Sequence, residues 1–156
     1  MKIFKLLLTV SVLLCSIEGR SKEFDTKISI QEKGAITYYV VGQVKGYRET
    51  DFMIDTGSGY TAINETMLRT LREQNNIEYM KTVSGIMANG KRTSLDVYQI
   101  DSINIGGKCT LNNIKAVILP GNTRNILGLN VLKKAAPFAM STNPPELILS
   151  NCQTTT

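Results

Sequence analysis

The sequence contains no histidine. That absence excludes Ser-His-Asp and Cys-His catalysis. It also excludes zinc sites built on imidazole. Cysteine is scarce, with three in the chain. Cys15 falls in the N-terminal apolar run, which leaves Cys109 and Cys152, too few for a four-thiolate metal site. No acidic cluster has the spacing of a calcium or magnesium loop. No repeat and no low-complexity segment is present. The basic residues are scattered, with only two short pairs, Lys91-Arg92 and Lys133-Lys134. That pattern is a solvated surface and not a nucleic-acid stripe. Hydrolytic chemistry in this chain has to come from carboxylates, lysine, an unassisted serine or oxygen-bound metals.

What is present begins with a distinct N-terminus. Lys2 and Lys5 precede an apolar run from Leu6 to Ile17. Twelve helical residues reach about 18 Å, short of a hydrocarbon core of about 30 Å. A basic start, a short apolar middle and small or polar residues from Ser16 to Ser21 mark residues 1–20 as a secretory signal peptide or an N-terminal membrane anchor through residues 3–17. A lipid-modified Cys15 is the third alternative. Residues 21–156 then suit one domain. Without Lys2, Lys5, Arg20 and Glu18, the 18 basic and 13 acidic residues become 15 and 12, a net charge of +3. The even pair Cys109 and Cys152 permits a disulfide within the chain, one between subunits, or two free thiols. The Cα separation decides among them.

Along that domain the pattern is mostly short strands. Ile28, Ile30, Ile36, Tyr38 and Val40 keep a period of two around a turn at Lys33-Gly34. Phe52-Met53-Ile54 is an apolar run of the kind that enters a core. Asn64 is placed to cap a helix carrying Thr66, Met67, Leu68 and Leu71. Two extended arms flank Ala88-Asn89-Gly90-Lys91, and Asn-Gly is a strong hairpin signal. A strand, a Gly106-Gly107 turn and a second strand ending at Leu119 follow. A short helix spans about Leu129 to Ala136 and is stopped by Pro137. Pro144-Pro145 reads as a turn, Glu146 to Ser150 as a last strand, and Gln153 to Thr156 as a loose tail. The layout predicts a small closed or sandwiched β domain with one or two short helices.

"FMIDTGSG" ends an apolar strand on Asp55 and follows it with Thr56, Gly57 and Ser58. The glycine-tipped hairpin "GIMANGKR" lies about thirty residues downstream, and "NILGLNVL" comes later still. Taken together in this order, the three segments resemble the retropepsin-like, or retroviral-type, aspartic proteases, in particular their bacterial single-domain branch. The resemblance covers about Ile36 to Leu149.

The resemblance implies a mostly β fold: a closed β-barrel half whose active site is completed in a homodimer. It implies an aspartic endopeptidase in which two Asp55 carboxylates meet at a two-fold axis and activate a water. Such a pair shares one proton. No cofactor and no metal is needed. Thr56 would reach across the axis with its hydroxyl. Gly57 would offer its N–H to the carboxylate, and Ser58 a hydroxyl hydrogen bond. Gly128 would support the catalytic loop from beneath. Met87, Ala88, Asn89 and Gly90 would form the tip of a flap that closes over a peptide or protein substrate. The terminal segments Ile28-Ile30 and Leu147-Leu149 would build the dimer interface. With the N-terminal signal, the expected location is export to the periplasm, free or anchored to the inner membrane.

The alternative is a protease-like fold without catalysis, acting as a peptide-binding or interaction module. Asp55, Thr56 and Gly57 together favour the enzyme. Asp51, Asp96 and Asp101 read as surface groups. Asn64-Glu65-Thr66 matches a glycosylation sequon at a helix start.

Overall fold

The computed structural model describes residues 24–153. The signal or anchor segment, Cys15 and residues 154–156 lie outside the described residues. Eleven strands and two helices alternate in these residues: β1 (Thr26–Ser29), β2 (Gln31–Lys33), β3 (Thr37–Val44), β4 (Thr50–Asp55), β5 (Thr61–Asn64), α1 (Glu65–Glu73), β6 (Ile77–Ile86), β7 (Arg92–Ile105), β8 (Cys109–Leu119), β9 (Asn125–Gly128), α2 (Leu129–Lys134), β10 (Ala139–Thr142) and β11 (Pro145–Leu149). None of the described helices is long and apolar enough to cross a membrane.

The large sheet runs β2-β3-β4-β9-β5-β8-β7-β6. A further pairing of β3 with β7, through Gly42↔Ile105 to Val44↔Ile103, joins β3, β4, β9, β5, β8 and β7 in a ring. Inside it sit Val40, Val44, Phe52, Ile63, Ile100, Ile103, Ile105 and Leu127, all buried. Each such side chain contributes about 1.5–3 kcal/mol by leaving water. Alternation puts Val40 and Val44 on one face of β3, and Ile103 and Ile105 on one face of β7, while Ile100 lies on the other face of β7 and is buried as well.

The second sheet, β1-β11-β10, packs on the same core. β1 pairs antiparallel with β11 through Ile28↔Leu147, and β10 pairs with the other edge of β11. Ile28, Ile30, Leu147 and Leu149 are 2%, 3%, 0% and 0% exposed. These side chains pack into the chain's own core.

Several boundaries differ from the sequence reading for identifiable reasons. β5 was not anticipated, because all four of its residues are buried and no alternation marks it. β10 is a short edge strand. Pro145 starts β11 instead of completing a turn, which costs no ladder bond at a strand's first residue. α2 ends at Lys134, two residues early. Gln153 is not loose. It exchanges backbone hydrogen bonds with Thr110 at 3.2 and 3.3 Å and accepts from Asn112 at 2.6 Å. Cys109 and Cys152 form a disulfide with a Cα separation of 4.7 Å, which ties this last segment to the start of β8.

Candidate active site

β4 carries Asp55 to the surface of the ring. Phe52, fully buried, anchors the strand. β9 runs parallel beside it in the register Phe52↔Asn125, Met53↔Ile126, Ile54↔Leu127 and Asp55↔Gly128. Asp55 is half-buried at the strand's end, and the carboxylate's bond to Gly57 is exposed.

The loop beyond Asp55 turns back on it. The Gly57 N–H donates to Asp55 Oδ1 at 2.8 Å, and the Ser58 N–H donates to the Asp55 carbonyl at 3.3 Å. The Leu129 N–H then donates to the Ser58 carbonyl at 2.8 Å, fastening the loop to the start of α2. A donor aimed at a carboxylate oxygen fixes the orientation of the group. Ser58 departs from expectation. Its hydroxyl donates to the Tyr60 carbonyl at 2.7 Å, so it shapes the loop and does not bond Asp55. Thr56 is exposed, and its hydroxyl has no hydrogen-bond partner among the described residues.

Gly128 lies under this loop with no space to spare. A Cβ there would fall 2.2 Å from the Tyr60 carbonyl oxygen and 2.6 Å from the Thr61 nitrogen. Both contacts are with backbone, which cannot rotate away. Thr61 and Asn130 complete the support. Asn130 Oδ1 accepts from the Thr61 N–H at 2.7 Å and from its hydroxyl at 3.0 Å, and Asn130 Nδ2 donates to the Lys115 carbonyl at 2.7 Å. The Gly128 N–H donates to Thr61 Oγ1 at 3.2 Å. One asparagine thus joins β5, β8 and α2 directly beneath the acid. Sequence reasoning missed Tyr60, Thr61 and Asn130. The spacing Gly128-x-Asn130 was the available signal, since an asparagine in the first turn of a helix favours side-chain bonding to backbone.

The expected flap tip is the turn between β6 and β7. Those strands pair from Ile77↔Ile100 to Ile86↔Arg92. The Met87 N–H donates to the Lys91 carbonyl at 2.9 Å and the Gly90 N–H to the Met87 carbonyl at 2.8 Å. Asn89 Oδ1 accepts from the Lys91 N–H at 3.0 Å. Gly90 has φ +78°, a conformation that favours glycine. Ala88 completes the turn. Most of β6 is exposed, and Ile86 is 65% exposed, so the arm stands away from the core. Met87 and Lys91 overhang a cavity of about 530 Å³ that also meets Glu65, Ile118 and Pro120. Asp55 does not line it. The structure therefore brings Asp55, Gly57, Ser58 and Gly128 together, while Met87 to Gly90 sit on a separate arm. Cys109 and Cys152 sit apart from both, at the start of β8 and after β11. Asp51 and Asp101 are surface partners of Lys33 and Lys45, and Asp96 accepts from Thr82. Among the described residues no three His, Cys, Asp or Glu side chains cluster as metal ligands.

The family model described as gag-polyprotein putative aspartyl protease matches residues 40–134, from β3 to the end of α2. The chain belongs to that family. Within this aspartyl protease family segment lie the Asp55 loop, the hairpin and Gly128. Among solved structures, a retropepsin-like aspartic protease from Rickettsia conorii is similar, with 24% identity, 80% of this chain and 89% of that chain covered, and a TM-score of 0.58. That likeness establishes a retropepsin-like fold. No curated protein matches the chain.

Proposed function

We propose that this chain is an aspartic endopeptidase whose active site is built from two copies of the Asp55 loop. One observation carries the reading. A half-buried aspartate, held by a backbone N–H, ends a core strand inside an aspartyl protease family segment, and no second carboxylate bonds to it among the described residues. A two-fold axis beside Asp55 would supply the missing partner. The exposed, unpaired Thr56 hydroxyl next to it suits a contact across that axis.

In the completed site the two carboxylates share one proton, because like charges a few ångströms apart resist double ionisation. The ionised one takes a proton from water as the oxygen attacks the peptide carbonyl. The protonated one donates to the carbonyl oxygen. The tetrahedral intermediate then collapses: the carboxyl that took the water's proton passes it to the leaving nitrogen, the other carboxylate takes back a hydroxyl proton, and the C–N bond breaks. The β6–β7 hairpin would cover the substrate and exclude bulk water. Residues 1–20 would direct export, and the Cys109–Cys152 disulfide suits an oxidising compartment such as the periplasm.

The purified protein is expected to cleave an unstructured protein at acidic pH, with a bell-shaped profile set by the pair. Asp55→Asn keeps an oxygen for the Gly57 N–H, so the loop should survive while the rate falls by about a thousandfold or more. Wild-type activity in a correctly folded Asp55→Asn protein would remove the mechanism.

A further inference from the structure

A second groove, about 320 Å³, opens beside Tyr60 and Asn130, which support the Asp55 loop. Tyr60, Asn113, Lys115, Asn130, Lys133 and Lys134 line it. Three of these are lysines, and no acidic residue lines the groove. Both ion pairs among the described residues, Lys33–Asp51 and Lys45–Asp101, lie elsewhere. The three ammonium groups are exposed and lack a carboxylate partner among the described residues.

Ordinary solvated lysines are the simplest account, and Lys133 and Lys134 do occupy the last turn of α2. A helix C-terminus attracts cations. That account leaves out Lys115, which comes from β8 and converges on the same groove. The walls are also fixed in advance. Asn130 makes three hydrogen bonds, and the Tyr60 backbone is wedged against Gly128. A pre-formed groove loses little freedom on binding.

The groove is within substrate reach of Asp55. Tyr60 is five positions along the chain, so it lies within about 17 Å. An extended peptide advances about 3.3 Å per residue. We propose that this groove is an exosite for acidic side chains of the substrate, within about five positions of the scissile bond. The inference rests on the endopeptidase reading and adds a substrate class to it. Remote binding of this kind lowers KM and leaves kcat alone when it is equal in ground and transition states. Three exposed ion pairs together are worth about tenfold, and salt screens them.

The test uses the full-length chain and two peptides with one cleavable sequence, flanked in one by glutamates and in the other by glutamines. The glutamate peptide should show a KM about tenfold lower at low salt. That advantage should vanish at high salt and in the Lys115→Gln, Lys133→Gln, Lys134→Gln triple variant. Equal KM values, or an advantage that survives the triple substitution, overturn the exosite. If neither peptide is cleaved, the endopeptidase reading fails, and the groove is judged by binding of labelled oligo-glutamate to the same proteins. Salt-sensitive binding that the triple variant loses supports the acidic-peptide site, and absence of binding overturns it. Lysine-dependent capture by phosphatidylglycerol vesicles, without preference between the peptides, also overturns it in favour of a membrane surface.

Discussion

Gly128 and Asn130 show how closely single atoms set the Asp55 loop. A Gly128→Ala methyl group would overlap the Tyr60 carbonyl, which only a backbone shift can relieve. We expect a loss of about 3 kcal/mol in urea unfolding, with activity reduced further because the shift lands on the loop that carries Asp55. Asn130→Ala removes three hydrogen bonds and leaves the Thr61 N–H in need of a partner. A cost of about 2 kcal/mol is expected by the same measurement. Asn64 is a third case. It is buried, its Oδ1 caps α1 by accepting from the Met67 N–H at 2.9 Å, and its Nδ2 donates to the Thr123 carbonyl at 2.8 Å. The nitrogen that a sequon would offer for glycosylation is engaged, so the match is silent in the folded protein.

At the scale of elements, the disulfide closes a segment with a sequence separation of 43 and holds the chain after β11 onto β8. Cys152→Ser should lower stability by about 2–4 kcal/mol, read as a shift in denaturant midpoint that reducing agent reproduces in the wild type. The elements that the sequence revealed are those with a period or a turn signal. β3 and β7 alternate, β4 is an apolar run into the core, and Asn89-Gly90 betrays the hairpin despite the exposed polar face of β6. β5 gave no such sign. Its place depends on two partners, β8 beside Thr61–Asn64 and β9 at Ala62, and only the folded sheet supplies them. The Asp55 loop was legible through the order of "FMIDTGSG", "GIMANGKR" and "NILGLNVL", since an acid followed by glycines at a strand's end is by itself an ordinary turn. The Ser58 bond was not, because a hydroxyl chooses between nearby acceptors by rotamer, and the Tyr60 carbonyl won. Likewise, the inward direction of Ile28 and Leu147 depends on which face of the small sheet packs on the ring's core, which a short strand's alternation leaves open.

For the whole molecule the decisive property is that the sequence holds one Asp-Thr-Gly segment, where the proposed site uses two. If the active species is a dimer, activity follows mass action. Below the dissociation constant a tenfold dilution should lower the rate about a hundredfold, and sedimentation should show the dimer disappearing over the same range. A rate strictly proportional to concentration from a monomer would refute the shared site. The pairing of β1 with β11 has a separate consequence, in time instead of space. Thr26 finds its ladder partner at Leu149, so the first strand of the domain cannot be satisfied until the last has been made. Such distant pairings slow folding, because the closure entropy of the whole chain is lost before the contact forms. During synthesis β1 waits for its ladder partner, with Ile28 uncovered, until the C-terminal strand has been made.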